Sequence, residues 1–138
     1  MADARSWRME VGAIPDAALR GNSRVQPRYR TRAKRLWNDS GSDHAIASMP
    51  VGYEPTKLRF TFTFSHWRKI DLDNLAIGMK PWVDGFVSVF GPGYGDDPAH
   101  VVYGEHEFTS CRKGQSKTEV LVTEVSVTPV LSSANARP

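Results

Sequence analysis

The clearest pattern in the chain runs from Leu58 to Ser65, where Leu58, Phe60, Phe62 and Phe64 alternate with Arg59, Thr61, Thr63 and Ser65. A period of two puts the four apolar residues on one face of a β-strand. They are expected in the core rather than as stacking platforms, because the solvent face offers only an arginine and hydroxyls. A different period follows. Leu75, Met79, Trp82, Val83 and Phe86 recur at i, i+4, i+7, i+8 and i+11, the spacing of an amphipathic helix over about 74–88, with Asp73 or Asn74 as its N-cap. Pro81 lies inside that run, and the hydrogen bond it removes predicts a kink or break near Ile77 to Lys80, eased by Gly78.

The remaining signals are shorter. Trp7 to Ile14 alternates often enough for an opening strand, closed by Pro15 and Asp16. Tyr29, Ala33, Leu36 and Trp37 fall at helical spacings and predict a helix from about Pro27 to Trp37 that docks this face. Gly41, Ser42, Pro50, Gly52 and Pro55 mark residues 39–56 as the end of that helical region and a connector. The Gly91-Pro92-Gly93-Tyr94-Gly95 loop precedes a strand from about His100 to Phe108. Ser110 to Lys117 reads as a polar hairpin turn, and Thr118 to Thr128 as the last strand. At 138 residues and 40% hydrophobic content the expectation is one domain, 1–138, with frayed ends at about 1–6 and 130–138.

Charge adds a partner class. The net charge of +3 and isoelectric point near 9.2 permit a polyanion without requiring one. The distribution says more. Arg20, Arg24, Arg28, Arg30, Arg32, Lys34 and Arg35 fall in one window that holds no acid, and Arg68 and Lys69 form a second basic step. A solvated helix face explains any one of them as well as a phosphate does, but phosphate explains the group better. Cys111 is the single cysteine and has no intramolecular partner, so a reduced, cytoplasmic protein is expected. No apolar run approaches the roughly 18 residues of a membrane span, and Met1 to Ser6 is not followed by the apolar core of a signal peptide, so a soluble protein is expected.

The acids supply candidate chemistry. In an extended chain Asp71 and Asp73 point to one side, with Leu72 opposite, and two such oxygen ligands suit Mg²⁺ or Mn²⁺. Taken alone, Asp-x-Asp-Asn is as compatible with a turn or a helix cap. A second acidic pair, Asp96 and Asp97, follows the glycine-rich loop, and Lys80 stands between the two pairs. Zinc is disfavoured, because His44, His66, His100, His106 and Cys111 show no ligand spacing. Nor is there a phosphate-binding loop of the Walker kind. Acids that gather a cation, together with bases that gather phosphates, point to a metal-dependent phosphodiesterase.

Asp71-Leu72-Asp73-Asn74-Leu75, the Lys80-Pro81-x-x-Asp84-Gly85-Phe86 stretch and the later Asp96-Asp97 pair ahead of a strand resemble the RusA family of Holliday-junction resolvases, often encoded by phages. The resemblance covers about residues 55–128, and 7–37 loosely. It implies a small α+β domain with a mixed sheet and two main helices, working as an intertwined homodimer. It also implies Mg²⁺-dependent cleavage of four-way or other branched DNA in recombination and repair. On that basis Asp71, Asp73 and Asp97 are the expected catalytic carboxylates and metal ligands, with Asp96 as an alternative to Asp97. Lys80 is the expected catalytic lysine, with Lys69 as a substitute. Arg20, Arg24, Arg28, Arg30, Arg32, Lys34, Arg35, Arg68 and Lys69 are the expected DNA contacts, and Asp84 is expected to end the helix rather than to act. The spacing of Lys80 and the long glycine loop differ from the family pattern, which leaves a second reading: a protein of the same fold that binds junctions without cutting them. No membrane and no small-molecule cofactor is expected.

Overall fold

A computed structural model describes residues 5–21, 24, 26–53 and 57–125. The expected frayed tail at Val130 to Pro138, the outer part of the expected N-terminal fray, and the end of the expected last strand beyond Val125 lie outside the described residues.

The chain forms a small α+β domain. Strand β1 (Ser6–Val11) leads through a short 3-10 turn (Ala17–Leu19) to helix α1 (Pro27–Ser48). Strand β2 (Leu58–His66) then feeds a bent helix made of α2 (Leu72–Gly78) and α3 (Lys80–Ser88). Strands β3 (Val101–Tyr103), β4 (Glu107–Ser110) and β5 (Lys117–Glu124) complete the order. The sheet is mixed: β1 and β2 flank β5 antiparallel, while β3 and β4 follow one another along the other edge of β2, parallel to it. Among the described residues, no helix is long and apolar enough to cross a membrane.

Strand β2 behaves as its alternation requires. Leu58, Phe60, Phe62 and Phe64 are fully buried, and so are Leu75, Met79, Trp82, Val83 and Phe86 from the bent helix. Phe60 meets Trp82 and Phe86 edge to face, at ring-centroid distances of 6.5 and 5.3 Å, an arrangement that adds to area burial. The helices therefore lie on the phenylalanine face of the sheet.

Three expectations are corrected. Helix α1 does not stop near Trp37 but continues through Gly41 and Ser42 to Ser48. The reason is its crossing with α3. A Cβ on Gly41 would collide with the Trp82 carbonyl, and one on Gly85 with the Asn38 carbonyl, so the two backbones touch where each helix has a glycine. Ser42 Oγ donates to the Gly85 carbonyl at 3.0 Å and Trp82 Nε1 to Ser40 Oγ at 3.2 Å across the same crossing. Second, Tyr29 and Leu36 do not dock: they are 48% and 62% exposed, and Ala33 carries the buried contact, with Trp37 partly buried beside it. Third, the turn at residues 111–116 does not close a hairpin between neighbours, because β4 and β5 lie on opposite sides of β2.

The expected strand at 100–108 is split for a local reason. Gly104 packs so closely on Thr61 that a Cβ would collide with its hydroxyl, and Gly104 N–H donates to the Phe60 carbonyl at 2.9 Å. The next ladder donor on β2, Phe62 N–H, finds His106 Nδ1 at 3.0 Å in place of a carbonyl. A side chain thus stands in for one rung of the sheet.

Candidate functional site

Asp71 is the N-cap of α2, and its carboxylate accepts the Asp73 N–H at 2.8 Å. The helix begins earlier than the expected cap at Asp73 or Asn74. The extended geometry expected for Asp71 and Asp73 is not present, because an N-cap carboxylate turns back to satisfy an orphan N–H of the first turn. Asp73 lies in that first turn, exposed. The bend comes at Met79, which ends α2 and opens α3 with φ −82° and ψ −9°. Pro81 sits in the first turn of α3, where its missing N–H costs no intrahelical bond. The kink expected near Ile77 to Lys80 is therefore there, with Lys80 at the start of the new limb.

Lys80 opens onto a cleft of about 560 Å³ between the bent helix and the loop before β3, lined by Ala76, Ile77, Lys80, Asp96, Asp97, Pro98, Val101, Tyr103 and His106. Lys80 Nζ lies 2.7 Å from Asp96 Oδ2. The Tyr103 hydroxyl donates to the other oxygen, Asp96 Oδ1, at 3.3 Å. Hydrogen bonding to Asp96 raises the Lys80 pKa. Burial raises the Tyr103 pKa, with the Asp96 charge and hydrogen bond adding to it. Asp84 lies one turn beyond Lys80, and burial raises its carboxyl pKa against the opposing pull of Lys80, with the charge of Asp96 adding to the rise.

Asp97 is held differently. Its carboxylate accepts the Ala99 N–H at 2.9 Å and faces the His100 ring at 3.0 Å, contacts that lower its pKa. Of the acidic pair, Asp96 is thus the residue that meets Lys80, and Asp97 stands beside it on the cleft wall. Across the cleft, His106 is stacked on Phe62 at 4.7 Å. Because its Nδ1 accepts the Phe62 N–H, the neutral ring carries its hydrogen on Nε2, and burial lowers its pKa while the charge of Asp73 opposes that shift. Asp73 therefore lies near enough to bias a group in the cleft, one turn before Ala76 and Ile77 on α2.

Arg24 aside, the basic residues divide into three sets. Arg20, Arg30 and Lys34 line a second cleft, which also takes in Asn38, Ile77, Lys80, Pro81 and Asp84. Arg28, Arg32 and Arg35 recur at i, i+4 and i+7, exposed and on the side of α1 away from that cleft. Arg24 is exposed before the helix. Arg68 and Lys69 are exposed beyond β2, remote in sequence from the other two sets, and Arg68 and Lys113 each lie 5.1 Å from the centre of the exposed Trp67 ring. Lys69 has no part in the lining of either cleft.

Sequence reasoning missed His106 and Tyr103 and set Asp84 aside. The signal for His106 was the Gly104-Glu105-His106 interruption of a strand pattern, which leaves one donor of β2 without its ordinary partner. For Asp84 it was the i, i+4 spacing from Lys80.

Asp73, Asp96 and Asp97 are hard oxygen donors of the kind Mg²⁺ prefers, and that ion is often held by one or two carboxylates together with a substrate phosphate. Their chemistry fits the ion. Among the described residues, however, no three His, Cys, Asp or Glu side chains are gathered around one point: Asp96 and Asp97 line the cleft, and Asp73 does not. Compared with protein-family models and with curated proteins, the chain matches none.

Proposed function

We propose that this protein is a Mg²⁺-dependent endonuclease that cuts four-way or other branched DNA as a homodimer, as its resemblance to RusA-like resolvases implies, and that it acts in the cytoplasm, where its single cysteine stays reduced. The observation that carries the reading is the cleft in which Lys80 meets Asp96 beside Asp97, with Asp73 in the first turn of the helix limb before it, adjoining a cleft lined by Arg20, Arg30 and Lys34. Asp73, Asp96 and Asp97 would hold the cation, which supplies charge neutralisation at the scissile phosphate and a more acidic water. Lys80 places a positive charge where the phosphate gains negative charge in the transition state. Tyr103 fixes the orientation of Asp96 through its hydroxyl. The basic residues supply a sequence-independent grip that weakens as salt rises.

The test is cleavage of a synthetic four-way junction by purified protein in Mg²⁺, compared with Asp73→Asn. Symmetric nicks from wild type and their loss in the variant are expected. Equal cutting by both proteins, or no cutting by wild type in Mg²⁺ or Mn²⁺ across several junction sequences, overturns the reading. The engagement of Lys80 by Asp96 favours one alternative, a junction-binding protein without nuclease activity. It requires junction binding in EDTA and intact DNA after Mg²⁺ is restored.

A further inference from the structure

We propose that the cleft between the 3-10 turn, α1 and α3 is a discrete phosphate-binding subsite, which holds a phosphate neighbouring the one in the Lys80–Asp96 cleft. Its place next to a scissile phosphate rests on the endonuclease reading, whereas the binding itself does not. The cleft has a volume of about 570 Å³, and four cations line it, Arg20, Arg30, Lys34 and Lys80, against one acid, Asp84. None of its lining residues is aromatic, so it offers a nucleobase no stacking surface while offering a phosphate oxygen several donors.

The two arginines are held by one backbone segment. Arg20 Nε donates to the Pro15 carbonyl at 3.0 Å, and Arg30 Nε to the Ala18 carbonyl at 3.4 Å. That segment is itself fixed, since the Asp16 carboxylate accepts the Ala18 N–H at 2.8 Å and Pro15 packs so tightly on Gly78 that a Cβ there would come within 2.6 Å. Guanidinium groups anchored in this way lose less side-chain freedom when an anion arrives, and their planar forks match phosphate geometry. Asp84 is the one acid against those four cations, and the charges of Lys80 and Lys34 oppose its own.

Lys80 and Ile77 line both clefts, so ligands in the two sit on either side of one lysine side chain. A strand that places one phosphate at Asp96 and Lys80 has its next phosphate within reach of Arg20, Arg30 and Lys34.

The experiment is done in EDTA, so that no cleavage contributes. Binding of fluorescent oligothymidylates, with and without a 5′-phosphate, is followed by anisotropy, and inorganic phosphate is used as competitor. The variants are Arg20→Gln with Lys34→Gln, and Arg28→Gln with Arg32→Gln, which remove equal charge from the cleft and from the outer face of α1. Loss on the order of tenfold in the first pair, with a much smaller loss in the second and competition by inorganic phosphate, is expected. Tighter binding of the 5′-phosphorylated strand identifies the ligand as a terminal phosphate, and equal binding of the two strands as a phosphodiester within the strand. Equal losses in the two pairs, or no competition by inorganic phosphate, overturn the subsite. Arg20→Lys, which keeps the charge and loses the fork, separates geometry from charge if the first pair unfolds: the subsite requires weaker binding, and an unchanged affinity overturns it. Failure of junction cleavage with success here removes the endonuclease reading and leaves the subsite.

Discussion

Replacing Gly41 by alanine tests the helix crossing that positions both clefts. In an exposed helix interior this change stabilises by about 1 kcal/mol, through the backbone freedom that glycine loses on folding. Here the new methyl collides with the Trp82 carbonyl and comes within 2.9 Å of Phe86 N. The obstacle is backbone, so no side chain can swing away and the helices must separate. Overpacking of this kind costs about 1–3 kcal/mol. Separation also stretches Ser42 to Gly85 at 3.0 Å, Trp82 to Ser40 at 3.2 Å and Asn38 to Pro81 at 3.3 Å, bonds worth roughly 1 kcal/mol each. The propensity gain offsets part of this, which leaves a net loss of about 2–4 kcal/mol. Urea denaturation measures it, as a lower midpoint with an unchanged slope. Gly12→Ala is the control, because no atom lies within 4 Å of a Cβ there. A Gly41→Ala protein as stable as wild type, or more stable, would refute the claim that backbone contact forces this residue. The same variant should weaken oligonucleotide binding, since Lys34 and Asp84 face one another from the two helices.

Phe62→Ala, which empties a fully buried site between Phe64 and His106, should cost about 3–5 kcal/mol in the same denaturation experiment. Asp71→Asn keeps a good N-cap and should leave the melting temperature nearly unchanged, while Asp71→Ala should lose about 1 kcal/mol. If Asp71 is a metal ligand as well as a cap, junction cleavage falls in both, and full activity in Asp71→Asn assigns it to the cap alone. Burial holds His106 and His66 below their ordinary pKa, so near pH 6 the unfolded chain binds more protons than the folded one. Stability should therefore fall as pH drops from about 6.5 towards the folded-state values. Melting temperatures between pH 7.5 and 5.5 test the sign, and a smaller drop in His106→Gln tests the assignment.

Period-two and helical patterns carried the core because burial there depends on spacing alone: Leu58 to Phe64 and Leu75 to Phe86 are buried as their spacing requires. The failures share a cause. Gly41 and Ser42 have the composition of a turn, and only contact with α3 makes glycine the residue that fits a helix there. The β4–β5 connection has hairpin composition, but β2 occupies the place between its two strands. Leu36 has helical spacing, yet the buried side of α1 is set by Ala33, Gly41 and Ala45, small residues that allow close approach. At the site, Lys80 and the Asp96–Asp97 pair were legible as residue types. Their pairing was not, because the loop before β3 decides which carboxylate turns inward.

That pairing bears on how the bent helix works. Lys80 is seven residues beyond Asp73, on the order of 10 Å along a straight helix, and the two would share a face without meeting at a common point. The bend at Met79 redirects the second limb, and Lys80 Nζ reaches Asp96 on the opposite wall. The limb before the bend packs directly on the segment that leads into the basic run: Gly78 lies against Pro15, and a Cβ on Gly21 would come within 2.7 Å of the Asn74 side chain. A substitution that straightened or crowded this junction would therefore move Lys80 and Arg20 together. Gly78→Ala is accordingly expected to lower both junction cleavage and phosphate affinity, although Gly78 lines neither cleft. Loss of cleavage with unchanged phosphate competition would show that the bend serves Lys80 alone.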